Sequence, residues 1–309
     1  MNGCPFTSVS EENGFILETD DGTIETNIGR IREMAERGDP DGMYGLGMAY
    51  LFGWGVEQDK DKGFRMLETA SEKGHPYAMT LLVSMFIRHE YVKMDLKKAV
   101  EYSKTGAAAG ISDAQLFLGT AYMDGVGVDR DYSKAAELFR SAAKQGNAEA
   151  RNSLAFLYQE GLGVERDEEK AFKLFKNAAS GGSVNAQFQT GVCYEMGAGV
   201  KKDLRKAVEW LGKAAEQGDS FAMERLGIIY SLGTDGVPVR PELSFKWFLD
   251  AALTGMLGAM HCVGVCYMNG FGVEQDAEEG KKWLRLASSS GNETSKALLS
   301  EIENGSGGR

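Results

Sequence analysis

The chain has 309 residues, 43% hydrophobic and 26% charged, a composition that excludes disorder throughout. No stretch approaches the ~18 consecutive apolar residues of a membrane span. The start, Met1-Asn2-Gly3-Cys4-Pro5-Phe6, lacks the basic-then-apolar order of a signal peptide. The net charge of −11 comes without a block of Lys and Arg, which argues against nucleic-acid backbones and anionic membrane surfaces as partners.

Residues 1–23 read as an acidic, poorly ordered lead-in. Glu11, Glu12, Glu18, Asp20, Asp21 and Glu25 all precede the first basic residue, Arg30. Residues 24–38 read as a lone capping helix. One pattern then recurs to residue 291. Glycines that close Ala-rich stretches (Gly38, Gly74, Gly110, Gly146, Gly182, Gly218, Gly255, Gly291) stand 36 residues apart, with one step of 37. A fixed period of that size marks a repeat array. Seven repeats begin near residues 39, 75, 111, 147, 183, 219 and 256. The third shows the pattern in full: Ala114, Leu118-Gly119, Tyr122, Gly125-Val126-Gly127-Val128, Asp131, Lys134-Ala135, Phe139, Ala142-Ala143, Gly146.

Each repeat reads as two helices. The first carries Ala, Leu and Tyr at i, i+4 and i+8, hence on one face. The second starts after an N-capping Asp: Asp59, Asp95, Asp131, Asp167, Asp203 and Asp276, with Arg240 in repeat six. The closing Gly suits the left-handed position past a helix end, and Gly-x-Gly-Val forms a turn needing positive φ. The Gly of Leu-Gly lets the paired helices approach closely. Most of the 40 glycines are therefore punctuation.

Repeat two departs from the pattern: Val83 replaces the Leu-Gly glycine, and Phe86-Ile87-Arg88-His89-Glu90-Tyr91-Val92 replaces the turn. Repeat six carries one extra residue within 233–238. Residues 292–304 read as a second capping helix and 305–309 as a flexible tail. A single helix pair cannot bury its apolar face, so the repeats must stack. The expected fold class is all-α and strand-free: an α-α solenoid of seven 36–37-residue helix-turn-helix repeats with half-repeat caps.

The pattern Ala-x3-Leu-Gly-x2-Tyr-x2-Gly-x-Gly-Val-x2-Asp-x2-Lys-Ala-x6-7-Ala-Ala-x2-Gly resembles the Sel-1-like repeat family, relatives of tetratricopeptide repeats, over residues 39–291. The resemblance implies a right-handed superhelix with a concave face. It implies a non-enzymatic scaffold or adaptor that binds a peptide or partner protein there, or, more specifically, an assembly or maturation factor for a protein complex. Some secreted relatives are described as binding or hydrolysing β-lactams, but they carry a cysteine pair in nearly every repeat. Here Cys4, Cys193, Cys262 and Cys266 are few and unevenly placed, which suits a reducing cytoplasm.

No catalytic constellation is legible. Each Gly-x-Gly follows a helix, not the strand a dinucleotide fingerprint needs. Glu168-Glu169 and Glu278-Glu279 fall in first turns of helices, where the dipole favours them. His261, Cys262 and Cys266 form the one metal-like cluster, but a fourth ligand is not evident. Neither a metal nor a cofactor is expected.

In tetratricopeptide architecture the first helix of each pair lines the concave wall. Positions two before, two after and five after the Leu of Leu-Gly form a stripe apart from the core columns. Tyr44, Met48, Leu51, Leu116, Met123, Phe156, Phe188, Val192 and Ile228 make that stripe apolar and are the candidate groove residues. His89 and Tyr91, standing where the turn glycines should be, are a candidate accessory loop.

Overall fold

The computed structural model describes residues 6–10, 14–18, 24–25, 28–88, 96–233 and 236–306. A lone helix α1 (Ile28–Glu36) precedes seven helix pairs. These are α2 (Pro40–Phe52) with α3 (Lys60–Glu72), α4 (Pro76–Arg88) with α5 (Leu96–Ala108), α6 (Ser112–Asp124) with α7 (Tyr132–Lys144), and α8 (Ala148–Glu160) with α9 (Glu168–Ser180). There follow α10 (Val184–Met196) with α11 (Leu204–Glu216), α12 (Ser220–Leu232) with α13 (Pro241–Leu253), and α14 (Leu257–Asn269) with α15 (Ala277–Ser289); α16 (Glu293–Ser306) closes the series. The helices fall into two compact units, Met1–Ala150 with Leu162–Glu165 and Arg151–Gly161 with Arg166–Arg309. The chain is not strand-free. Ahead of α1, the backbone of Phe6–Ser10 (β1), Gly14–Glu18 (β2) and Ile24–Glu25 (β3) pairs as a small antiparallel sheet in that order.

The third pair shows why the recurring residues recur. Asp131 Oδ1 accepts the Lys134 backbone N–H at 3.0 Å, satisfying an orphan donor of the first turn of α7. That bond, and then the Lys134 ammonium 3.1 Å from Oδ2, hold the Asp131 carboxyl below its usual range. The Asp131 N–H donates to the Tyr122 carbonyl of α6 at 2.9 Å, so the cap also ties the two helices together. Lys134 Nζ stands 5.2 Å over the Tyr122 ring. Asp167, Lys170 and Tyr158 repeat this arrangement, as do Asp203, Lys206 and Tyr194. In α13 Arg240 makes no cap bond, and Pro241 follows at the first helical position, where its missing N–H costs nothing.

Glycine at the second turn position answers two demands. Gly127 has φ 72°, and a Cβ there would stand 3.0 Å from the Leu96 carbonyl at the start of α5. The turn of one repeat is thus seated on the second helix of the repeat before. α7 closes with the hydrogen bonds of a Schellman motif: Gly146 N–H donates to Ala143 C=O and Asn147 N–H to Ala142 C=O, with Gly146 at φ 100°.

Within the first unit α6 packs on both α5 and α7. Within the second, α10, α12 and α14 each pack on the second helices at both sides. First helices are therefore apolar on more than one face, whereas second helices carry a single stripe such as Ala135, Ala136, Phe139 and Ala142 of α7. The core runs along these contacts, through Phe139, Leu67 and Leu82 in the first unit and Phe175, Leu211 and Leu226 in the second.

α4 begins differently. His75, 3% exposed, accepts the Ala78 N–H at Nδ1 (3.1 Å) and donates from Nε2 toward Asp41 Oδ1, 3.1 Å away. Its ring stacks on Tyr44 at 4.5 Å. Burial pushes the His75 pKa below its ordinary value, outweighing the Asp41 and Asp39 carboxylates. A second proton would occupy Nδ1 and remove the cap. Since the native pKa lies below the unfolded value of ~6.5, the unfolded chain binds more protons just below that pH. The contribution is complete above pH ~6.5 and declines as pH falls toward the native pKa. We expect thermal melts to drop between pH 7.5 and pH 5.5. His75→Asn, which keeps a capping acceptor, should remove part of that drop and leave the share of His261, whose pKa burial also lowers. An unchanged slope in the variant would refute the assignment.

Candidate partner-binding surface

The structure divides the nine candidate residues by what they touch. In the first unit Tyr44 is half-buried against His75, and Met48 against the Ile31, Ala35, Leu46 and Ala49 cluster. Leu116 and Met123 are half-buried. Leu51 is not a surface residue: it is 1% exposed and belongs to the core with Leu67, Ala70 and Leu82. Gly47 and Gly63 bring α2 and α3 so close that a Cβ at Gly63 would stand 2.8 Å from Leu51 Cγ. Met268, at the same place in the last repeat, lies as tightly against Gly280, 2.9 Å by the same measure. At these two places, five after the motif Leu, the side chain faces its own partner helix.

In the second unit Phe156, Val192 and Ile228 hold equivalent positions on α8, α10 and α12, 36 residues apart. Phe156 is 41% exposed and Ile228 40%. Val192 is half-buried. Phe188 packs partly on the core and stands 6.2 Å from Phe221 of α12. Phe221, 62% exposed, is the residue the sequence reading missed, with Met196 and Leu232 also exposed. They sit five before and six after the motif Leu. Extending the stripe by one further i−3 and i+4 step would have found them. His89 and Tyr91 lie outside the described residues.

An apolar pocket of about 420 Å³ opens between α12, α13 and α14, lined by Ile228, Phe248, Cys262, Val265, Cys266 and Phe271. His261 also borders it, but its Nδ1 is 2.9 Å from Ser295 Oγ of α16. Burial pushes both the Cys262 and Cys266 thiols up to about 11, the Glu224 carboxylate adding to the effect on Cys262. Neither is poised as a nucleophile. Among the described residues no group of three or more His, Cys, Asp or Glu is placed to hold a metal ion, and no helix is long and apolar enough to cross a membrane.

Among the described residues, thirteen-residue helices that pair in series, all but α4 with α5 across glycine-containing turns, define an α-helical repeat solenoid. The chain belongs to the Sel1-repeat family. The Sel1 repeat model matches residues 40–75, 112–147, 148–183, 184–219, 220–255 and 257–292. It passes over α4 and α5, the pair whose sequence lacks Leu-Gly and the glycine turn. Sel1-repeat proteins are generally non-catalytic protein-interaction scaffolds.

Solved structures similar to this chain include two that match about nine-tenths of it. One is c5321, a protective antigen present in uropathogenic Escherichia coli strains and displaying an SLR fold: TM-score 0.78, 31% identity, 90% of this chain and 60% of that one. This chain thus spans 60% of that protein's length. The other is a Sel1 repeat protein from Oxalobacter formigenes: TM-score 0.73, 32% identity, 89% of this chain and 79% of that one. A comparison with curated proteins yields no match.

Proposed function

We propose that the chain is a non-enzymatic scaffold that holds a peptide, or a peptide-like segment of a partner protein, along the first-helix face of its second unit. The observation that carries this reading is the exposure of large apolar side chains on that face, Phe221 above all, at positions with no part in capping, turns or core. The motif residues Asp167, Lys170 and Tyr158 close the repeat on itself, while the stripe residues change from repeat to repeat, as residues that serve a ligand would. Aromatic side chains grouped at the centre of such a face are the usual anchors of an interface. A reducing compartment suits the free thiols of Cys193, Cys262 and Cys266.

The test is capture by the intact chain, read by mass spectrometry, against a Phe156→Glu/Phe221→Glu variant. Both side chains are exposed, so the variant should melt within about 1 kcal/mol of wild type, since surface changes each stay within ~0.5 kcal/mol. It should lose the proteins that wild type retains. Equal capture by a folded variant would refute the reading.

A further inference from the structure

The pocket between α12, α13 and α14 has an electrostatic neighbour that its apolar lining does not explain. Glu224 lies one turn before Ile228 on the same face of α12. Its carboxylate reaches α14, where a Cβ at Gly258 would overlap it, and it acts electrostatically on Cys262 inside the pocket. Among the described residues no hydrogen bond or ion pair reaches this carboxylate, and burial raises its pKa. The adjacent Arg225 pulls the other way, but more weakly than burial, and its guanidinium is ion-paired to Glu195 at 2.8 Å. Burial lowers the His261 pKa, so this ring is no counter-charge of choice for Glu224. A half-buried carboxylate without a hydrogen bond or ion pair among the described residues therefore stands one helical turn from Ile228 and acts on Cys262, two residues that line an apolar cavity of about 420 Å³, within the ~300–1,000 Å³ range of ligand sites.

We propose that this pocket takes one bulky apolar side chain of a bound peptide, and that Glu224 pairs with a lysine or arginine close to it in the same peptide. The inference rests on the peptide-holding reading above and adds what the peptide must contain. Charge complementarity selects the partner: a cation brought to Glu224 supplies the missing counter-charge, and the neighbouring apolar side chain displaces water from the cavity. An acidic or wholly apolar peptide would leave the carboxylate half-buried and unpaired.

The probe is a phage-displayed library of random peptides panned on the full chain, followed by fluorescence polarisation with a labelled copy of the strongest binder. Enriched peptides should pair Leu, Phe, Met or Trp with a nearby Lys or Arg. Glu224→Gln should weaken that binder about tenfold and abolish its preference over a copy with the basic residue neutralised. Cys262→Phe, which fills the cavity, should weaken it at least as much. Ile228→Arg gives the same test at a half-exposed site where folding is safe, because the new guanidinium would pair with Glu224 and cover the mouth.

Binding lost in Phe156→Glu/Phe221→Glu but unchanged in Glu224→Gln and Ile228→Arg would overturn this inference and leave the scaffold reading standing. A library that yields no binder would overturn both. Should Glu224→Gln lower only the melting temperature, the carboxylate serves the N-terminus of α14, whose cap Met256 offers no side-chain acceptor, and the inference falls.

Discussion

Phe139→Ala is expected to cost about 3–5 kcal/mol, among the largest losses available in the first unit. The ring is fully buried on α7 and lies over Gly119 of α6, where an added Cβ would stand 2.6 Å from Phe139 Cε1. Removing the ring leaves a cavity that the two helices cannot close, because the Asp131 cap bond to Tyr122 fixes their separation at the turn. The same contact makes Gly119→Ala destabilising by ~1–3 kcal/mol, since the ring must leave its place. The two changes should not add: with the ring gone, the new methyl group enters space already vacated. Urea denaturation followed by helical circular dichroism measures all three variants. A double variant as unstable as the sum of the singles would show that α6 and α7 do not meet at this pair.

Leu51→Ala should lower stability by ~2–5 kcal/mol, whereas Phe156→Ala should stay within ~0.5 kcal/mol of wild type. Sequence position alone puts both on one stripe of first helices, yet Leu51 is 1% exposed and Phe156 41%. The difference arises from Gly47 and Gly63. With no Cβ on either facing helix, α2 settles onto α3 and its last turn is carried inward, taking Leu51 with it. Equal, small effects of the two substitutions would show that this close approach is absent in solution.

Much of the fold was legible because each repeat marks its own boundaries chemically. An Asp that caps, a Gly that enters the left-handed region and a Tyr eight residues past the Ala are local requirements, and their recurrence at one period in most of the seven repeats leaves no room for chance. Asp131, Gly146 and Tyr122 do in the structure what their spacing demands. The strand pairing of Phe6–Ser10 with Gly14–Glu18 carried no comparable mark, because neither FTSVS nor GFILE alternates apolar and polar residues. In the candidate surface, Phe156 and Ile228 were found from periodicity. Phe221 lies one i−3 step outside the stripe, and Glu224 lies in a row of mixed polarity, with Thr80, Asn152 and His261, where a charge looks ordinary until its surroundings are known.

The sequence by itself determined the period, the helix pairs, their caps and turns, and the set of first-helix positions free of those duties. All of these follow from interactions within some ten residues along the chain. Which free positions meet solvent was decided only by the tertiary structure. Helical periodicity says which side chains share a face, not how near the next helix comes. That distance is set by glycines facing each other across a helix pair, as at Gly47 and Gly63, and it turned Leu51 inward. The absence of a side chain on Gly258 likewise lets α14 close over Glu224, which leaves that carboxylate half-buried and unpaired beside the pocket.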